Sequence, residues 1–283
     1  MLNRLDQMGV IKHFDNPPGP QMDPQRAAYS WANRMEFVRS ADWVLIVDAD
    51  EFLNVKTGDH SIDHLITECG GKDADAISVN WRLMGSCGQA HMSDDLVTTR
   101  FTRGSDFDDP ENGLVWGVKT LFRPDKFDFF GVHSPKFLKY RDISDIKINW
   151  KNGDGDPVGG KILEKGWRSN KDSIGYSLAQ VNHYAIKSRE EFLLKRLRGT
   201  ANSKNKDRID MGYWDKYDIN THEDLSIPTD AIQPQIDEWL ADADLAALLR
   251  ATKEVSRRTL DYQLEQDAYR TFIDTGIFDA KAA

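Results

Sequence analysis

Five apolar residues run unbroken from Trp43 to Val47, and three acids follow within four positions, Asp48, Asp50 and Glu51. A short run rich in β-branched residues predicts a strand covered on both faces. Around it the pattern alternates between helix and strand. "LNRLDQMG" predicts a short helix with Leu2 and Leu5 inward, stopped by Gly9. "VIKHF" predicts a strand and "DNPPGPQM" a loop. Asp23 before Pro24 is a helix start, an N-cap followed by proline in the first turn. The helix is expected through "QRAAYSWANRMEFVR", with Ala28, Trp31, Met35 and Val38 as its inward stripe. Ser61 caps "IDHLITEC", which Gly70 and Gly71 end, and "DAISVNWRLMG" predicts a second strong strand. This alternation is the pattern of a layered α/β domain. Its sheet is expected to be mixed, with the 43–47 strand at an interior position and helices on both faces.

Past Gly85 the pattern shortens. "LVTTRFTR", "VKTLFRP" and "FFGVHSP" predict short strands with turns between them, and "KNGDGDPVGG" predicts a mobile glycine-rich turn. "YSLAQVNHYAI" predicts a strand ending near His183. Ser188 with Glu191 forms a capping box for "REEFLLKRLRG", ended by Gly199. "TANSKNKDRIDMG" predicts a polar loop, and from Thr229 onward the chain reads as helical. That tail is expected to pack on the main domain or on another copy, which would make a homo-oligomer.

Composition narrows the function classes. The 283 residues carry a formal net charge of -9, which argues against nucleic acid as the main partner. It leaves open a phosphorylated ligand held by a metal. No apolar run approaches the ~18 residues of a membrane helix, and "MLNRLDQMGV" has no secretory pattern. Cys69 and Cys87 are far apart and lack metal-ligand spacing, which favours a reduced, cytoplasmic compartment.

The acids after Val47 carry the most chemistry. One reading is a polar turn after a strand. The buried run before them favours another, because ligands of open α/β sheets bind outside the carboxyl ends of the strands. Asp48 and Asp50 share side-chain parity if the extended conformation persists. Two like charges there are costly without a cation, and a hard divalent ion with oxygen ligands suits them while keeping positions open for phosphates. Glu51 is expected to point elsewhere and fix the loop, by pairing with an arginine or accepting backbone N–H groups.

"DWVLIVDADEFLNV", preceded by "QRAAYSWANRMEFVRSA", resembles the D-x-D segment of a GT-A glycosyltransferase, in the family-2-like bacterial group whose strand ends in D-x-D-E-F. "SVNWRLMGSCGQ", "VKTLFRPDKF", "VHSPK" and "VNHYAIKSREEFLLKRLRG" resemble later blocks of that group in order. The resemblance spans roughly residues 1–200, with 201–283 a loop and helical extension. It implies a GT-A-like (Rossmann-like) mixed sheet flanked by helices. It also implies transfer of a sugar from a nucleoside-diphosphate-sugar to a glycan or lipid-linked acceptor. Mn²⁺ or Mg²⁺ would be held by Asp48 and Asp50, stabilising the departing diphosphate as a Lewis acid. The enzyme would be cytoplasmic, or peripheral at the inner face of the membrane. One departure stands out: the chain begins inside the family's first helix, so its first strand, which helps hold the nucleotide, is expected to be absent and donor binding weak.

Other residues are candidates around that core. His183 reads either as a histidine stitching a turn or, by the resemblance, as the third metal ligand. His133 is its rival, or a phosphate or acceptor contact. Lys119, Arg123 and Lys136 are surface cations by default, with Lys119 the choice to steady a diphosphate. Trp116, between Gly113 and Gly117, is a candidate to stack on a sugar, whereas Trp81 is expected in the core. With Glu51, these make Lys119, Trp116 and His133 the substrate-side set. A general base for the acceptor has candidates in Asp94, Asp95, Asp106, Asp108, Asp109 and Glu111, none singled out. Two competing readings remain: a glycosyltransferase-like fold that binds a glycan or partner without turnover, and a phosphatase of the haloacid-dehalogenase type. The phosphatase expects Thr or Val after the second Asp, where Glu51 and Phe52 stand.

Overall fold

The computed structural model describes residues 1–17, 23–107, 113–138, 142, 145–159, 167–199 and 209–278. Its organising element is strand β3 (Ala76–Leu83), whose eight residues are all buried. Beside it lies β5 (Val118–Phe122), antiparallel, and outside β5 lies β1 (Val44–Leu45), also antiparallel. On the other side β6 (Trp150–Asn152) runs parallel to the start of β3 and β7 (Ala179–His183) parallel to its end. β2 (Glu51–Val55) closes the sheet antiparallel to β7. A separate antiparallel pair joins β4 (Arg103–Gly104) to β8 (His222–Glu223). The architecture is a mixed α/β fold of the Rossmann-like kind, with a curled mixed sheet, flanking helices and a helical C-terminal region.

Register sorts the side chains onto two faces, since neighbours along a strand point oppositely. Val79 lies opposite Lys119, and Leu83 and Glu51 both lie opposite His183. One face therefore carries Val79, Trp81, Leu83, Lys119, Glu51 and His183. Its apolar members join Val55, Leu121 and Val181, with Leu65 of helix Ile62–Glu68 covering them. The second face is apolar at the β1 end, where Ala76, Phe122, Phe127 and Trp150 meet Ala32 and Val38 from the helices Pro24–Ala32 and Glu36–Arg39. At the other end it is polar, with Asn54, Asn80, Arg82, Gln180 and Asn182 all buried.

Local signals hold where a cap or a glycine is required. Asp23 accepts from the Arg26 N–H, Ser61 from the His64 N–H, and both halves of the Ser188–Glu191 capping box form. Each such cap stabilises its helix by about 1 kcal/mol. The helices Gln233–Leu240, Ala243–Gln263 and Asp267–Thr275 build the expected tail. It packs on the main domain: Phe272 and Ile273 share a core with Ile186, Phe192 and Trp214. Among the described residues no helix is long and apolar enough to cross a membrane.

Several expectations are overturned. The 43–47 strand is not interior. β1 has two residues, ends the sheet and pairs only with β5 among the described residues, and Val47 is 43% exposed. Its apolar run answers to two cores instead, Trp43 and Leu45 packing on one and Val44 and Ile46 on the other. "VIKHF" is irregular, not a strand. The long helix breaks after Ala32, and of its expected inward stripe Val38 does pack on a core, whereas Trp31 is 60% exposed and Ala27 and Ala32 turn inward instead. "LVTTRFTR" forms the helix Val97–Arg100 and then β4, not one strand. "FFGVHSP" contributes a single bridge, Phe129 with Lys136. The start of "KNGDGDPVGG" is knitted in: the Asn152 side chain accepts from the Asp154 and Asp156 N–H groups, and Asp154 accepts from Tyr176 and Ser177. Residues 160–166 and 200–208, with the rest of two predicted loops, lie outside the described residues.

These packing assignments set a contrast that urea denaturation checks. Leu65→Ala, at a site with no exposure, is expected to cost about 2–5 kcal/mol. Trp31→Gln is expected to stay within about 0.5 kcal/mol. Equal losses would place Trp31 in the core after all.

Candidate functional site

The three acids sit on the turn from β1 into β2, and the turn ties itself. The Asp48 N–H donates to Glu51 Oε2 at 2.8 Å and the Glu51 N–H to the Asp48 carbonyl at 3.0 Å. The chain turns at Ala49 and Asp50, so the extended parity assumed for Asp48 and Asp50 is broken. Each aspartate meets its own lysine. Asp48 Oδ2 lies 3.1 Å from Lys119 Nζ, and its Oδ1 accepts from Gln25 Nε2 at 2.9 Å. Asp50 Oδ2 accepts from Lys195 Nζ at 2.9 Å, and its Oδ1 lies 3.9 Å from His183 Nε2.

Lys119 has no exposure, and its ammonium also lies 3.0 Å from Glu51 Oε2 and 3.0 Å from the Val132 carbonyl. Three oxygens thus match its three N–H groups. A buried cation is tolerated only with such partners, because desolvation costs several kcal/mol per ion. Burial pushes the Glu51 carboxyl up, to about 7, against the pull of Lys119 and with Asp48 adding to the rise. Glu51 therefore fixes the loop as expected, but it does not point elsewhere: its fully buried carboxylate shares Lys119 with Asp48, a lysine rather than an arginine, and presents no surface to a substrate.

His183 is at the end of β7, 7% exposed, with its ring 4.7 Å from that of Trp81 and 5.7 Å from that of Tyr217. Burial pushes the imidazole down to about 4, so it is neutral at pH 7, with Asp50 opposing. Its buried Nδ1 has no hydrogen-bond partner. Burial alone would raise Asp50, but His183 and Lys195 outweigh it and hold the carboxyl below the usual range.

The structure brings Asp48, Asp50, Glu51, Lys119 and His183 to one end of the sheet. His133 is nearby but committed: its Nδ1 lies 3.1 Å from the Val118 carbonyl, and its ring is 5.2 Å from Trp81. Trp116 is not the open stacking platform expected. It is half-buried against the main core, with a buried Nε1 that has no partner. The glycine beside it serves Trp81 instead, since a Cβ on Gly117 would meet the Trp81 ring at 2.3 Å. Trp81 is in the core, as expected. Arg123 donates to the Ala74 carbonyl and Lys136 is exposed. Asp94 pairs with Lys253, Asp95 with Ser93 and Asp106 with His222, and Asp108, Asp109 and Glu111 lie outside the described residues.

Sequence reasoning missed Gln25 and Lys195. Lys195 carried a readable signal, standing four residues after the Glu191 of the capping box and so on the same helix face. Gln25 followed the Asp23 cap, but nothing marked it as reaching the acids.

No family model, curated protein or solved structure matches the chain. Among the described residues no three His, Cys, Asp or Glu side chains converge as a metal-holding group. The donor types at the strand end nevertheless suit a divalent ion: a neutral imidazole whose Nε2 faces an ionised carboxylate, although its other ring nitrogen, Nδ1, lacks the partner that usually orients a ligating histidine. Two ammonium groups now hold the positive charge that such an ion would supply.

The two buried imidazoles set a pH dependence. Burial also pushes His133 down, to about 4, while an unfolded histidine titrates near ~6.5. Between these values the unfolded chain binds more protons at these two rings, so their contribution to stability is full above the upper value and falls as pH drops through the window, outweighing the single raised Glu51 carboxyl, which acts in the opposite sense. Thermal melting at stepped pH is expected to show that fall, with a shallower slope in His133→Asn. An unchanged slope in the variant would remove His133 from the account.

Proposed function

We propose that the protein is a metal-dependent glycosyltransferase, moving a sugar from a nucleoside-diphosphate-sugar to a glycan or lipid-linked acceptor. One observation carries the reading. His183, distant in sequence, is delivered to the same strand end as the acid pair, with Nε2 3.9 Å from Asp50. Asp48, Asp50 and His183 are the residues that would hold Mn²⁺ or Mg²⁺. Such an ion, when bound, supplies Lewis-acid stabilisation to the charge that builds on a departing diphosphate.

The chain's own residues prepare that end of the sheet. Lys119 and Gln25 hold the two oxygens of Asp48. Glu51 closes the turn behind it and shares its lysine. Trp81 packs against both His133 and His183, excluding water from behind the rings. Keeping His183 neutral leaves a lone pair available near neutral pH. Lys195 reaches Asp50 from the helix Arg189–Arg198, and an ammonium there also suits a phosphate oxygen as a point charge.

A second reading is favoured by the same two lysines. With Asp48 and Asp50 already neutralised by Lys119 and Lys195, the fold would bind a glycan or partner without turnover. Calorimetry with Mn²⁺ and a panel of nucleoside-diphosphate-sugars separates them. The transferase reading expects metal-dependent donor binding that the Asp48→Asn/Asp50→Asn double variant loses by at least about tenfold, or 1.4 kcal/mol. Donor binding indifferent to metal and to both substitutions would leave the binding-module reading in its place.

A further inference from the structure

The second face of the sheet holds a charged side chain that the proposed reaction leaves unused. Arg82 on β3 is 1% exposed, and its Nε and Nη1 have no hydrogen-bond partner. Leaving such a buried donor unmatched costs on the order of 1–3 kcal/mol, more for a charged group. The nearest counter-charge is Asp224, whose Oδ2 is 3.7 Å from Nε, beyond hydrogen-bond reach. Asp224 is also committed elsewhere. Its Oδ1 accepts from the Ser226 hydroxyl and N–H, and its Oδ2 from Gln180 Nε2 at 2.7 Å.

The guanidinium is stacked as well as buried. Its Cζ lies 4.0 Å from the centroid of the Phe107 ring, and Lys56 Nζ lies 4.9 Å from the same centroid. A guanidinium that spends its face on an aromatic ring still presents N–H groups along its edge, in the fork that matches a carboxylate or a phosphoryl group. Arg82, Lys56, Phe107, Asp224 and Ser226 line a cavity of about 420 Å³, a size within the small-molecule range. At its rim His222 is paired with Asp106 and Glu223 is exposed. In the wall, two cations face the Asp224 carboxylate, which already accepts three hydrogen bonds from other groups. Burial, with Arg82 beside it, holds Lys56 below the usual lysine range, against the pull of Asp224.

We propose that this cavity is a second ligand site, in which the unpartnered Nε and Nη1 donors of Arg82 and the ammonium of Lys56 bind the carboxylate or phosphoryl group of a small molecule, with Phe107 as its aromatic wall. The site stands apart from the acid turn, because Arg82 and Trp81 are adjacent on β3 and point to opposite faces. It therefore does not rest on the transferase reading.

Titration calorimetry of the full chain, without divalent metal, tests it with inorganic phosphate in one arm and malonate in the other. Saturable binding of either anion is expected, and the arm that binds identifies the group recognised. Arg82→Lys keeps the charge but loses the fork, and is expected to weaken binding by about tenfold or more. Should that buried substitution unfold the protein, Lys56→Gln and Phe107→Leu, at less buried positions, carry the test, each expected to weaken binding several-fold. Asp48→Asn is expected to leave it unchanged, which separates this site from the acid turn. No heat from either anion at about 20 mM, or equal affinity in the parent, Lys56→Gln and Phe107→Leu proteins, overturns the proposal.

Discussion

A single ammonium group, that of Lys119, lies buried between Asp48 and Glu51 at 3.1 and 3.0 Å. The arrangement at the strand end follows from it. β1 is short and pairs with β5 alone among the described residues, so two backbone partners hold little of the acidic turn. Lys119 ties that turn to β5 by charge, and Glu51 ties it to β2 by closing on the Asp48 N–H. Without the cation, the buried Glu51 carboxylate would be left beside the partly exposed Asp48, and Glu51 would have to take up a proton. The rise of Glu51 to about 7 shows how close the balance already is.

The sheet distributes its chemistry by parity. On one face, odd-numbered residues of β3 and β7 give a dry core at one end and the Trp81–His183 wall at the other. On the opposite face, Asn80, Arg82, Gln180 and Asn182 form a buried polar layer. Gln180 bonds Asn182 and Asp224, and Asn54 bonds Ser226, so most of that layer satisfies itself. Asn54 Oδ1 and Gln180 Oε1 are also left without partners, but Arg82 is the charged exception, which is why the layer carries a ligand proposal and not only a structural one. A half-satisfied polar network is costlier than an apolar one.

The sequence made elements with strong local punctuation legible. Asp23, Ser61 and the Ser188–Glu191 pair each begin a helix where their cap chemistry says, and β3 and β7 lie where apolar runs end in glycine or a capped helix. What periodicity could not tell was the number of hydrogen-bonded neighbours. The 43–47 run is apolar because it feeds two cores, and that demand exists at the edge of a sheet as well as in its middle. Trp31 misled because its helix turns Ala27 and Ala32 inward instead. At the candidate site, Asp48, Asp50 and His183 were legible as residues that belong together. Their partners were not, because the pairing of Asp48 with Lys119 and Asp50 with Lys195 depends on a turn at Ala49–Asp50 that an extended reading passes over. Trp116 was misplaced because Gly117 gives its space to Trp81, a contact made across strands.

The claim that Lys119 anchors the acidic turn is open to one direct measurement, a double-mutant cycle of Lys119→Met and Glu51→Gln followed by chemical denaturation. Removing the lysine alone strands the buried Glu51 and is expected to cost about 3–5 kcal/mol. Neutralising Glu51 as well is expected to restore part of that loss, with a coupling of about 1 kcal/mol or more. A Lys119→Met loss below about 1 kcal/mol, with the two substitutions strictly additive, would contradict the account and leave the turn held by its backbone.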